Sequence, residues 1–398
     1  MSFDFSAPTN RLNTYSTQWD YVGDRFGFSD LLPFTISDMD FASAPCITEA
    51  LQQRLDHGIF GYSRWNHADF KQSICHWFAN QYQTELNEES LVYGPSVMYI
   101  ISRLIQLWSK PGDGILYFDP AYDAFKPIIE SADRIAIPNP LQAIPRSAQD
   151  AQRSDYQINW SLLEQQAADP NCKILLLCNP HNPTGKVWTQ EELSKIAEIT
   201  QRHKLCVISD DIHMDICFEP YTPWTKVAQD NRWALVSSAS KSFNVPALSG
   251  AYAAIGCEQT KQAYLEILKL TDGLSSPSIF GVIATMSAYR EGAPWLGELK
   301  EYLGQNLEWV AERLNQAFPQ LNFCPPQGTY LAWIDLTPLG IDMDALQHAL
   351  IHDHKIAIMR GDAYGPLGRN HLRFNVGCQR SKVEQGLEGL IKAIESLR

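Results

Sequence analysis

Two kinds of apolar pattern alternate along most of this chain. In the first, apolar residues run almost unbroken for a few positions: Gly114-Ile115-Leu116-Tyr117-Phe118, Lys173-Ile174-Leu175-Leu176-Leu177-Cys178, Leu205-Cys206-Val207-Ile208-Ser209 and Ala234-Leu235-Val236-Ser237-Ser238. Runs this short, closed by polar, Pro- or Gly-containing segments, predict buried strands. In the second, apolar positions recur at helical spacing, as from Gln190 to His203, with Thr189 placed to cap the helix start. Their alternation from about Pro45 to Arg290 predicts a mostly parallel sheet covered by helices.

Past Pro294 the rhythm changes. A long helix from about Pro294 to Phe318 is followed by a strand at Tyr330-Leu331-Ala332-Trp333-Ile334 and a helix near Asp342 to Asp353. A strand at His371-Leu372-Arg373-Phe374-Asn375-Val376 and a closing helix from about Ser381 to Ser396 complete a smaller α+β unit. At 398 residues the chain exceeds what one small core organises, so two domains are expected.

With 45% hydrophobic and 19% charged residues, and no repeat or low-complexity tract, the composition is globular. The net charge of −13 argues against nucleic acid or an anionic membrane as a partner. No apolar run approaches the roughly twenty residues that span a bilayer. The first residues also lack the basic start and apolar stretch of a secretory signal. Nine cysteines are scattered without a C-x-x-C pair, several of them inside apolar runs. Reduced thiols in a cytoplasmic protein account for this better than a zinc site or a disulfide framework.

The chemistry concentrates at Lys241, in Ser238-Ala239-Ser240-Lys241-Ser242-Phe243-Asn244-Val245-Pro246, just past a predicted strand. Carboxyl ends of strands are where an open α/β sheet presents ligand-binding groups. Lysine is also the side chain that forms Schiff bases with carbonyl compounds and with pyridoxal phosphate. Two upstream segments accompany it: Asn179-Pro180-His181-Asn182-Pro183-Thr184-Gly185 and Ser209-Asp210-Asp211-Ile212-His213. In this order the three resemble the aspartate-aminotransferase-like (fold type I) pyridoxal-phosphate enzymes, and the resemblance runs over nearly the whole chain. Four more segments are Ile36-Ser37-Asp38-Met39-Asp40-Phe41, Gly61-Tyr62-Ser63, Asp119-Pro120-Ala121-Tyr122-Asp123-Ala124-Phe125 and Pro246-Ala247-Leu248-Ser249-Gly250-Ala251-Tyr252. These are most similar to the MalY/PatB group of cystathionine β-lyases, or C–S lyases.

The resemblance implies an α/β fold with a large domain over residues 45–290 and a small domain over 291–398. Residues 1–44 would pack with the small domain, and two chains would form a homodimer. It implies pyridoxal 5′-phosphate as cofactor, with no metal. Lys241 would carry the cofactor. Asp210 would keep the ring nitrogen protonated, with Asp211 as the second carboxylate; an aspartate here also suits a helix cap. Asn182 would donate to the phenolic oxygen, in a sequence that equally favours a turn, with His213 beside it. Ser96 and Val97 open an apolar helix whose amides would cradle the phosphate, joined by Ser238 and Ser240. Many family members place an arginine for the phosphate eight residues after the lysine, where this chain has Ser249. Tyr122 would stack on the ring, and Tyr62 would reach the phosphate from a neighbouring subunit. Arg373 would clamp the substrate carboxylate with its two-pronged fork, and Asp38 would also face the substrate.

The implied activity is β-elimination from L-cystathionine or related cysteine thioethers, giving thiol, pyruvate and ammonia. Lys241 would remove the Cα proton as general base. An aminotransferase would use the same Lys241, Asp210 and Arg373. A regulatory binding protein is a further use of such a scaffold. No residue here imposes elimination over transamination on physical grounds.

Overall fold

Two sheets organise the structure, a computed structural model that describes residues 3–144, 153 and 155–398. Strand β1 (Leu32–Phe34) belongs to the smaller sheet. The larger is built by β2 (Leu91–Gly94), β3 (Gly114–Asp119) and β4 (Ile135–Pro140), and then, beyond a ribbon of β5 (Gln142–Ala143) and β6 (Tyr156–Gln157), by four more strands. These are β7 (Cys172–Cys178), β8 (Cys206–Asp210), β9 (Trp233–Ser237) and β10 (Ala251–Ile255). The chain returns to the smaller sheet with β11 (Leu331–Asp335), β12 (Ile356–Arg360) and β13 (His371–Asn375).

The larger sheet has the order β2-β10-β9-β8-β7-β3-β4. Strands β9, β8, β7, β3 and β4 are parallel neighbours. Only β10 runs against both of its neighbours. Helices cover both faces, so the central strands are buried on both sides, which explains why they read as continuous apolar runs. From Ile174 to Cys178 every side chain of β7 is buried. Truncating Leu176 to alanine there would cost about 2–5 kcal/mol.

The helix Gln190–His203 begins where the sequence places it. Thr189 accepts from the Glu192 amide and Glu192 reaches back to the Thr189 amide, a reciprocal cap that satisfies two otherwise unpaired donors. The helix Val97–Trp108 starts directly after β2, with Ile100, Ile101, Leu104 and Ile105 buried. The long helix runs Ala293–Ala317 and the last one Arg380–Ser396.

The smaller sheet has the order β1-β12-β13-β11, with β1 parallel to β12 and the other pairs antiparallel. Its edge strand thus comes from the first 44 residues, while its other three come from the last third of the chain. Strand β1 is the three residues Leu32-Pro33-Phe34, too short an apolar run to mark a strand by itself; its pairing with β12 defines it. Four of the nine cysteines are buried and five half-buried. Among the described residues no group of His, Cys, Asp and Glu is arranged to hold a metal, and no helix is long and apolar enough to cross a membrane.

Candidate active site

A cavity of about 300 Å³ opens at the carboxyl ends of β7, β8 and β9, against the smaller sheet. Lys241, Asp210, His213, Asn182, Tyr122 and Arg373 all line it, together with Ser37 and the helix-opening residues Val97 and Met98.

Lys241 sits in a tight turn that is fastened from beneath. Ser238 Oγ donates to the Gly250 carbonyl at 2.6 Å and accepts from the Ser240 amide at 3.1 Å. Ser242 Oγ donates to Asp215 at 2.7 Å, and that buried carboxylate also accepts from Trp77 Nε1 at 2.8 Å and from the Tyr82 hydroxyl. The turn is thereby anchored to the core on the side away from the cavity. Lys241 Nζ donates to the Ser37 carbonyl at 2.7 Å. As a residue Lys241 is half-buried. Burial is the chief cause that brings its pKa down to about 8; Arg373 adds to the fall, while Asp38 and Asp210 oppose it.

Asp210 is the last residue of β8, held between Cys178 of β7 and Val236 of β9. Burial pushes its carboxyl up to about 7, against the Ile212 amide, 3.2 Å away, and Lys241. A cation beside it would restore its charge, as a protonated ring nitrogen would. Asp211 does not line the cavity; it accepts from the Tyr221 hydroxyl at 2.6 Å, and burial pushes it up to about 8. Of the two adjacent aspartates, geometry brings only Asp210 to the cavity.

His213 is buried and neutral: burial first, then Lys241 and Arg373, bring its pKa down to about 3. Its Nδ1 is buried without a partner among the described residues, as is Nε of Arg373. Arg373 is 3% exposed; it donates to Asn182 Oδ1 at 3.1 Å and to the Thr35 carbonyl at 2.8 Å, over the ring of Tyr364 at 4.5 Å. That bond uses the Asn182 oxygen and leaves its NH₂ to donate. Buried polar groups are ordinarily paired. Two orphaned nitrogens, a desolvated carboxyl and an amine around one cavity, with a helix start on its wall, fit a flat, polar, anionic cofactor of the pyridoxal-phosphate kind.

Other expected residues lie elsewhere. Ser96 is exposed, and its side chain caps the helix by accepting from the Tyr99 amide at 3.1 Å; Val97 and Met98 line the cavity instead. Ser238 and Ser240 are engaged with each other in the Lys241 turn and are not on the cavity wall. Tyr62 is fully exposed and away from this chain's cavity. Ser249 is exposed too, and the two arginines on the wall are Arg25 and Arg373. Asp38 lines a second cavity of about 680 Å³, which shares Ile36, Ser37 and Lys241 with the first, and pairs with Arg11 at 2.8 Å.

Two asparagines were not singled out from the sequence. Asn244 donates to the carbonyls of Met39 and Phe41, both at 2.8 Å, and accepts from the Met39 amide at 3.0 Å. Asn375 donates to the carbonyls of Ile36 and Asp38 at 2.6 and 2.8 Å. Together they staple the stretch 36–41 between the lysine turn and the smaller sheet. Their one signal is polarity: each is an amide beside apolar residues in a motif.

A sequence profile of the family described as "Aminotransferase class I and II" matches residues 29–390. "Protein MalY" of Escherichia coli (strain K12) is 52% identical over 398 residues, spanning the whole of both chains. "Cystathionine beta-lyase PatB" of Bacillus subtilis (strain 168) is 33% identical over 395 residues, covering 98% of this chain and 100% of that one. Cystalysin from Treponema denticola, whose crystal structure contains a pyridoxal 5′-phosphate cofactor, matches the structure with a TM-score of 0.93 at 26% identity, covering 100% of each chain.

Proposed function

The chain belongs to the class I and II aminotransferase family, and within it we propose a pyridoxal-phosphate-dependent carbon–sulfur lyase acting on cysteine thioethers such as L-cystathionine. The strongest support is the gathering of Lys241, Asp210, Asn182, His213, Tyr122 and Arg373 on one cavity from separate stretches of the chain. The relatives whose names carry carbon–sulfur lyase activity favour elimination over transamination.

In this reading Lys241 Nζ is the attachment point of the cofactor and Asp210 stands at its ring nitrogen. The Asn182 amide and the neutral His213 face the phenolic oxygen, and the amides of Val97 and Met98 at the helix start take the phosphate. The cofactor, when bound, supplies an electron sink for the charge that develops at the substrate Cα. Arg373 holds the substrate carboxylate, and the Asn182 oxygen keeps the guanidinium oriented. Lys241 Nζ, whose pKa near 8 leaves a sizeable neutral fraction, accepts the Cα proton. Tyr122 covers one face of the cavity and excludes water from it. The net reaction consumes one water per thioether and yields a thiol, pyruvate and ammonia.

We further propose that two chains form the working unit, with the exposed Tyr62 completing the neighbour's phosphate site. We also propose the division at 44/45 and 290/291, which accords with the pairing of β1 with β12. The deciding experiment incubates purified holoenzyme with L-cystathionine and follows thiol, pyruvate and ammonia together. Equal release with no added keto acid is expected. Strict dependence on a keto-acid acceptor, with no thiol released, would move the chain to the aminotransferases.

A further inference from the structure

The wall of the first cavity carries one more pair of opposite charges that the reaction above does not use: Arg25, from the helix Val22–Phe26, and Asp123, next to Tyr122. Both are solvent-accessible. Neither is in an ion pair among the described residues, with the other or with any third group, and the Arg25 guanidinium finds only the weak sulfur acceptor of Met359 at 3.1 Å. Their fields nevertheless meet. Both act on the buried Tyr364 hydroxyl, in opposite directions, and that hydroxyl has no partner among the described residues.

The charges around the second cavity are in a different condition. There the guanidinium of Arg11 is held by Asp38 and Asp40 at 2.8 and 2.9 Å and is already neutralised. Charges already paired have little left to offer a ligand. The unpaired Arg25 and Asp123 retain that capacity, at a cavity whose depth is occupied by the groups for the reacting amino acid.

Resting on the lyase reading, we propose that Arg25 and Asp123 form the subsite for the far arm of the substrate. The preferred substrate is then a thioether whose second arm also ends in an α-amino acid, with Arg25 taking the distal carboxylate and Asp123 the distal ammonium. A guanidinium and a carboxylate on one wall complement such a zwitterion. A plain alkyl arm would leave both unengaged, so it gains nothing from them.

Four thioethers test this with the holoenzyme: L-cystathionine, S-aminopropyl-L-cysteine, S-carboxypropyl-L-cysteine and S-propyl-L-cysteine, which retain both, one or neither of the distal charges. Asp123→Asn is expected to lower kcat/KM about tenfold for the two arms that carry the amine, and to leave the other two within about twofold. Arg25→Gln should do the same for the two arms that carry the carboxylate. A uniform loss over all four, or no loss on the charged arms, overturns the subsite. Equilibrium binding of the same compounds to cofactor-loaded Lys241→Ala protein separates this from the lyase reading. If wild type releases no thiol from any of them while Asp123→Asn still weakens binding of the amine-bearing arms alone, elimination is wrong and the subsite stands. If binding is equally indifferent to the distal charges, the subsite is wrong.

Discussion

The amine of Lys241 is hydrogen-bonded at 2.7 Å to the carbonyl of Ser37, a residue 204 positions earlier in the chain. The Tyr330 hydroxyl donates to the same carbonyl at 3.0 Å. Residues from the amino-terminal segment, the lysine turn and the smaller sheet therefore meet at one oxygen. The position of the stretch 36–41 sets the surroundings of the reactive amine, and Asn244 and Asn375 set that position.

Asn244→Ala removes three bonds to the backbone of this stretch. At a net worth near 1 kcal/mol each, the variant should lose about 2–3 kcal/mol. Urea unfolding followed by circular dichroism measures it. A loss within about 0.5 kcal/mol, typical of surface changes, would mean that the stretch is held by other groups.

Lys241 is expected to be the sole site of reductive labelling. Borohydride treatment of the holoenzyme and peptide mapping should place the pyridoxyl group there and on no other lysine. Lys241→Ala should keep a bound cofactor but lose at least about a hundredfold in kcat, the lower end of general-base contributions.

Arg373→Lys keeps a positive charge but cannot reach Asn182 and Thr35 together as the planar fork does. A fall of about ten- to a hundredfold in kcat/KM is expected for any substrate with an α-carboxylate. Steady-state kinetics with L-cystathionine decides it, and a fall below twofold would place the carboxylate elsewhere.

The cofactor-free protein should lose stability as pH rises through neutrality. Burial raises Asp210 from 3.8 to about 7 and Asp211 to about 8, so between these limits the folded state binds more protons than the unfolded one. The stabilisation is complete below the unfolded value and disappears as pH climbs through the folded ones. Lys241 acts oppositely and later: its pKa falls from 10.5 to about 8, so deprotonation gains stability between those two values. Urea midpoints of wild type and Asp210→Asn at about pH 5 and about pH 8 test the carboxylate part. The variant should have the shallower decline; an equal slope would show that Asp210 carries no such linkage.

Tyr62 is fully exposed in one chain, so its proposed role needs a second. Mixing Tyr62→Ala with Lys241→Ala protein, each inactive alone, should restore part of the activity, since one site of each heterodimer then holds both groups. Demonstrated subunit exchange without any recovery would assign Tyr62 to its own chain.

Much of the site was legible in the sequence because its groups lie where strands end. Asp210 closes β8, and Lys241 follows β9 within a few residues. Strand-forming runs buried on both faces are continuous and apolar, so their ends are sharply marked, and the motifs at those ends identify the family. The helix Gln190–His203 was equally legible, since its cap is built from residues three apart. What sequence could not decide was which polar side chains face the cavity. Asp210 and Asp211 are neighbours of one type, and only the pleat of β8 and the pairing of Tyr221 separate them. Ser238 and Ser240 look suited to a phosphate, yet the Ser238 hydroxyl and the Ser240 amide are bonded within the turn. Strand β1, the Ser37 carbonyl and the staples Asn244 and Asn375 depend on partners some 200 or more residues away. Local periodicity carries no trace of such pairings, because they exist only once both sheets have formed and brought distant backbone together.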